Sequence, residues 1–304
     1  MRSVVDMRPI LTSIAIGLSA TLAAAGCGDE ASGTDSGDAP VVVVTSTILG
    51  NIVETVAGDA AEVEVLLPRG ADPHEFSLSV RQAESMSRAD LLVENGGGVE
   101  EGMTDSIATA AESGVELFTL TDHVDLIDDD PHVWTDPTRL LPAVEALGAR
   151  LADVTGDPAV LDRAAAYAED LAALDDEIEA TLAGIPAAER VLVTNHEVLT
   201  YFADRYEFEV VGAFIASPST RAQPSAADLD DLADTIEAEG VPAIFVETSS
   251  NADLAEALAD TVGDVAVVTL YTESLGEPGS GAETYLDMLR TNAALIRDAL
   301  TDSS

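Results

Sequence analysis

With 57 Asp and Glu against 13 Lys and Arg, and no lysine among the latter, this 304-residue chain has a formal charge of −44 at pH 7. That balance excludes nucleic acid and anionic surfaces as partners and favours cations, although a salt-adapted or GC-rich source would coat any exported protein in the same residues. The length suits two lobes, each with its own core, and the single cysteine, Cys27, excludes both a disulfide and a thiolate metal cluster.

At the start of the chain, Arg2 and Arg8 precede an apolar run from Ile10 to Ala25, and Ala24, Ala25 and Gly26 lead into Cys27. This pattern predicts a secretory signal peptide over residues 1–26 followed by a lipidation cysteine, Cys27. The run of about sixteen residues is shorter than the roughly twenty that span hydrocarbon, which argues against an uncleaved membrane helix. Met7 would begin a tidier signal than Met1, and Ala24 stands where bacterial lipoproteins more often carry Leu. Residues 27–40 are small, polar and acidic and read as a lipidated flexible tether.

From Val41 onward, β-branched runs alternate with helical spacing. Strands are predicted at residues 41–46, 62–68, 91–94 and 116–120, with helices at 48–56 and 79–87 between them. Residues 137–182 are rich in Ala, Leu, Glu and Asp at helical spacing, interrupted at Gly156, Asp157 and Pro158. They predict a helix, a turn and a second helix of about 25 residues, roughly 35 to 40 Å long and able to join two lobes. Strands follow at 191–195, 209–214, 243–247 and 265–271, helices at 226–238 and 252–261, and a closing helix at 283–301. The predicted architecture is α/β: an N-terminal lobe at 41–157, a linker helix at 158–185 and a C-terminal lobe at 186–304, each lobe a mostly parallel sheet flanked by helices.

Of four histidines, three stand where chemistry would want them. His74 lies in Asp72-Pro73-His74-Glu75-Phe76, His132 in Asp130-Pro131-His132-Val133-Trp134, and His196 directly follows a predicted strand. In open α/β sheets ligands bind beyond the carboxyl ends of the strands, so His74 and His196 can face each other from opposite lobes. Each Asp-Pro-His holds its imidazole on a loop stiffened by proline. Any one of these histidines alone would pass for an ordinary surface or core residue. His123, in the acidic stretch 122–130, reads as a solvated loop residue, with weak metal scavenging as the alternative. A fourth ligand must be a carboxylate, and strand-end position alone leaves Glu273 and Glu247 both open.

His196-Glu197-Val198-Leu199-Thr200 begins like the H-E-x-x-H helix of zinc proteases, but Thr200 occupies the place of the second histidine. There is no G-x-S-x-G, P-loop or nucleophilic cysteine. A three-histidine site with an open position could still activate water, whereas four protein ligands close a tetrahedral zinc and favour carriage over catalysis.

Several segments, in consistent order from Val41 to the C-terminus, resemble the zinc and manganese solute-binding proteins of bacterial ABC importers. They are residues 41–50, 72–76, 130–137, Thr194-Asn195-His196 leading to Tyr201-Phe202, 243–247, 271–275 and Tyr285-Leu286. The resemblance implies two lobes bridged by a long rigid helix and a metal held between them by His74, His132, His196 and a carboxylate from the segment 271–275. That segment selects Glu273, one methylene longer than the family's usual Asp. Manganese-type members resemble this chain but carry Glu at the position of His196, and an imidazole there suits zinc. The family's histidine-rich loop is replaced by the short acidic run with His123. The expectation is a monomeric, extracytoplasmic, lipid-anchored carrier that delivers Zn2+ to an importer permease and its ATPase and is not an enzyme. Capture is expected to weaken below the ordinary histidine value of about 6.5. A manganese-specific member, an extracytoplasmic zinc hydrolase and a structural lipoprotein with incidental histidines are the alternatives.

Overall fold

The computed structural model describes residues 39–250 and 252–301. The predicted signal peptide, Cys27 and residues 27–38 of the tether lie outside the described residues.

Strand β1 (Val41–Val44) is a run of valines whose last three side chains are fully buried, as suits a parallel strand covered on both faces. It lies inside a four-stranded parallel sheet of order β2-β1-β3-β4, with β2 (Glu62–Val65), β3 (Leu91–Glu94) and β4 (Glu116–Thr119). The crossovers are α1 (Thr47–Ala57), α2 (Val80–Met86) and α3 (Thr104–Glu112). Ser46 caps α1 by accepting from the Leu49 N–H at 3.2 Å, so the helix starts immediately past the strand end.

The middle of the chain is helical. In α4 (Leu141–Thr155), Pro142 sits in the first turn, where its missing N–H is not needed, and Gly156 ends the helix with φ 67°. Asp157 then accepts from the Ala159 N–H at 3.0 Å, and α5 (Ala159–Leu182) runs for 24 residues, about 36 Å. Val160, Ala164, Tyr167, Leu171, Leu174, Ile178 and Leu182 form its buried stripe.

The second sheet repeats the first: order β6-β5-β7-β8, all parallel, from β5 (Val191–His196), β6 (Glu209–Ile215), β7 (Ala243–Glu247) and β8 (Ala266–Leu270). Helices α6 (Thr200–Tyr206), α7 (Ala226–Glu239) and α8 (Asp253–Val262) connect them, and α9 (Tyr285–Thr301) returns to pack on α5 and α1.

Period-two alternation divides the apolar residues of each sheet. Val42, Val44, Leu91 and Val93 of the first sheet share one continuous core with Leu192, Ala243 and Phe245 of the second, filled between them by the stripe of α5. Their strand neighbours face outward, Val43 and Leu92 into a core under α2 and α3, Val193, Ile244 and Val246 into another under α7 and α8. The two sheets are therefore mounted on a common apolar spine.

Candidate metal centre

In each sheet the chain leaves the inner strands in opposite directions, between β1 and β3 in the first and between β5 and β7 in the second, which opens a crevice beyond their carboxyl ends. His196 is the last residue of β5 and Glu247 the last of β7. Glu273 follows β8, His74 follows β2, and His132 follows β4 at the entry to a 3₁₀ turn, Val133–Thr135.

Both Asp-Pro-His segments fold alike, and the aspartate contributes as much as the proline. The His74 N–H donates to Asp72 Oδ1 at 2.8 Å and the His132 N–H to Asp130 Oδ1 at 2.9 Å, turns that point the imidazoles inward. The site is then stitched across the lobes. Trp134 Nε1 donates to the Thr272 carbonyl at 2.7 Å, and the Tyr285 hydroxyl donates to the Trp134 carbonyl at 2.5 Å. The Leu275 N–H donates to Thr47 Oγ1 at 3.0 Å, and the Gly70 N–H to Ser274 Oγ at 2.9 Å.

These constraints bring His74, His132, His196 and Glu273 together, each 2 % exposed or less, with one donor atom from each within 4.8 Å of the others. His132 Nε2 lies 3.5 Å from His74 Nε2 and 3.4 Å from His196 Nε2, and Glu273 Oε1 lies 3.6 Å from His132 Nε2 and 3.5 Å from His196 Nε2. A tetrahedron with bonds of 2.0–2.1 Å has edges of about 3.3–3.4 Å, so these four distances, 3.4–3.6 Å, come close to the edges of a small four-coordinate metal site. Neither Glu273 oxygen has a hydrogen-bond partner. A fully buried, unpartnered carboxylate is costly unless a cation faces it.

Behind the imidazoles stands a second ring of carboxylates. His132 Nδ1 is 2.7 Å from Asp130 Oδ1, and His196 Nδ1 is 2.6 Å from Glu247 Oε1. His74 Nδ1 faces Glu101 Oε1 at 3.6 Å. A carboxylate at Nδ1 fixes the tautomer that leaves the Nε2 lone pair free for a metal. Glu247 thus occupies the outer side of His196, while Glu273 occupies the inner side. The structure separates two carboxylates that strand-end position leaves equivalent.

Charge follows this layout. Burial works against ionisation of Glu273, but its contact with His196 and the charges of His132 and His74 outweigh it and hold the carboxyl below its usual range. Burial would likewise deprotonate His196, yet Glu247 and Glu273 push it up to about 10. Burial dominates at His74 and lowers it.

His123 is not brought to this cluster: its ring stacks on Phe118, centroids 4.7 Å apart and 11° from parallel. His196 lies in a strand, and the helix after it begins only at Thr200, so the H-E-x-x-H-like start is not on a helix at all. Asp130, Glu247 and Glu101 were not singled out from sequence as imidazole partners. The repeated Asp before Pro-His was the one visible signal, and it marks Asp130.

A family model described as "Zinc-uptake complex component A periplasmic" matches residues 42–299. The manganese-binding lipoprotein MntA of Halalkalibacterium halodurans is 31 % identical over 278 residues, covering 89 % of this chain and 92 % of the relative. The zinc-binding protein TroA of Treponema pallidum is 30 % identical over 275 residues, covering 86 % and 89 %. The solved structure of periplasmic zinc-binding TroA from Treponema pallidum superposes with a TM-score of 0.81 at 29 % identity, covering 86 % of this chain and 99 % of that one.

Proposed function

This chain belongs to the family of periplasmic metal-uptake components that the zinc-uptake model describes, and from that premise we propose that it captures Zn2+ between its two lobes and delivers it to the permease and ATPase of an ABC importer. The observation that carries the zinc reading is the donor set: three imidazoles and one carboxylate converge within 4.8 Å in a fully buried site. Manganese prefers more oxygen ligands than this set offers, whereas imidazole with one carboxylate suits zinc. Relatives are named for either metal, manganese for MntA and zinc for TroA, so specificity rests on the ligands of this chain.

His74 and His132 supply the ion's ligands from the first lobe, residues 41–157, and His196 and Glu273 from the second, residues 186–304, with residues 158–185 as the linker. Four protein ligands leave no position for an activated water, which favours carriage over hydrolysis. Cleavage after residue 26 and lipidation of Cys27 would hold the carrier at the outer face of the membrane as a monomer, in keeping with relatives named as lipoproteins. Titrating the metal-stripped mature protein in a calorimeter is expected to give about one zinc per chain and much weaker manganese binding. A preference for manganese would overturn the choice of metal, and binding of neither ion would overturn the carrier reading.

A further inference from the structure

Each imidazole of the cluster has a carboxylate facing Nδ1, but the three pairs differ. Asp130 and Glu247 lie at 2.7 and 2.6 Å, hydrogen-bonding distance, and both are at least nine-tenths buried. Glu101 stands farther off, 3.6 Å from His74 Nδ1, and its side chain is 33 % exposed at the rim of the cleft. Its neighbour Gly102 packs so closely on the Phe76 carbonyl that a Cβ there would lie 2.0 Å from the oxygen, which pins the 101–102 backbone against the His74 loop.

The Glu101 carboxylate itself is held from the other lobe. The Ser219 hydroxyl donates to Oε1, the same oxygen that faces His74, at 2.5 Å, and Arg221 NH1 lies 3.7 Å from Oε2. Both residues belong to the loop between β6 and α7 of the second lobe. The connection therefore runs from the second lobe through Glu101 to a first-lobe imidazole.

Resting on the reading that this cluster binds zinc, we propose that Glu101 is a positioning residue for His74, set in place by Ser219 and Arg221, and that this chain of contacts governs how fast the metal leaves. While the rim is closed, the second lobe keeps the carboxylate beside Nδ1 and supports the imidazole as a ligand. When Ser219 and Arg221 withdraw, the partly exposed Glu101 side chain loses both partners and turns to solvent, and His74 becomes the least supported of the ligands. Release then begins at His74, because Asp130 and Glu247 are too deeply buried to leave their imidazoles.

The test is a double-mutant cycle on the mature protein, read as the rate of zinc transfer to a chromogenic chelator in a stopped-flow mixer. Glu101→Ala is expected to speed release about tenfold, the lower end of what loss of an outer partner costs. Ser219→Ala combined with Arg221→Ala is expected to match it, and all three together should be no faster than Glu101→Ala alone. The unfolding midpoint of the metal-free protein should stay unchanged in every variant. An unaltered rate in Glu101→Ala, or effects that multiply, would overturn the proposal. Failure of the unmutated protein to bind zinc would instead overturn the carrier reading beneath it.

Discussion

On the proposed reading of the site, the proton on His196 sets how zinc capture depends on pH. Burial alone would remove it, but Glu247 at 2.6 Å from Nδ1 and Glu273 at 3.5 Å from Nε2 keep it and push the imidazole up to about 10. Zinc needs the Nε2 lone pair, so the metal-free site holds a proton that the loaded site does not. Affinity must therefore rise with pH: the logarithm of the association constant is expected to climb by about one per pH unit from 7 to 9, about 1.4 kcal/mol per unit and about 100-fold in all. An imidazole at the ordinary value of about 6.5 would have levelled off by roughly pH 7.5. The same His196–Glu247 pair stabilises the metal-free fold; that contribution is complete below about pH 6.5 and is lost as pH rises through about 10. Competition with a chelator of known stability at each pH measures the slope, and calorimetry in buffers of different ionisation enthalpy counts the released proton. Glu247→Gln keeps the shape but removes one of the two charges that hold the proton, so the slope between pH 7 and 9 should become shallower in that variant. A flat affinity over this window in the unmutated protein, or an unchanged slope in Glu247→Gln, would refute the reasoning.

His196→Glu replaces an imidazole by a carboxylate and should lower the ratio of zinc to manganese affinity by about tenfold or more, read by paired titrations. Glu273→Ala removes the only carboxylate of the four-residue cluster and is expected to weaken zinc by more than the roughly 100-fold that losing an outer partner can cost. It also leaves three imidazoles and an open position, so assaying this variant for zinc-dependent ester hydrolysis asks whether closure of the site is what suppresses chemistry. Gly148→Ala would put a Cβ 2.4 Å from that of Ala164 where α4 crosses α5. Overpacking of that kind costs about 1–3 kcal/mol, so the melting temperature should fall by several degrees while zinc affinity stays the same.

The elements most readable in the sequence were those whose pattern is set by burial. The valines of β1 announce themselves because the strand is buried on both faces, and the stripe of α5 because it faces one core throughout. Two helices went unpredicted. Of the nine residues of α3 only Ile107 and Ala110 are buried, too few to establish a period. Helix α6 is a seven-residue turn of chain whose Tyr201, Phe202 and Tyr206 are residues that favour strands. The prediction for β2 ran to residue 68, three past its end at Val65, yet Leu66 and Leu67 still donate to the carbonyls of Val44 and Thr45. At the site, the three histidines are legible from strand-end position and the Asp-Pro-His repeat, and Glu273 from the family resemblance, because both can be read along the chain. Glu101 and Glu247 could not be assigned their places, because what matters is which face of an imidazole they meet, a distance across 27 and 51 residues of sequence.

The continuity of the core bears on how such a carrier lets go of its ion. Moving the sheets apart as rigid bodies would open the apolar layer that Val42, Val44, Leu192 and Phe245 share with α5, and each large side chain exposed costs about 1.5–3 kcal/mol. It would also break the bonds of Trp134 to Thr272 and of Tyr285 to Trp134, both fully buried. No such penalty attaches to the rim. Arg221 is 54 % exposed and Glu101 33 %, and their contact bridges the lobes without lying in the core. Local rearrangement at Glu101, Ser219 and Arg221 therefore costs far less than hinge opening, and it acts on His74, the imidazole whose outer carboxylate stands farthest away, at 3.6 Å against 2.7 Å for His132 and 2.6 Å for His196. The stiffness of the spine and the looseness of the rim together support the proposal that release begins at the first-lobe histidine.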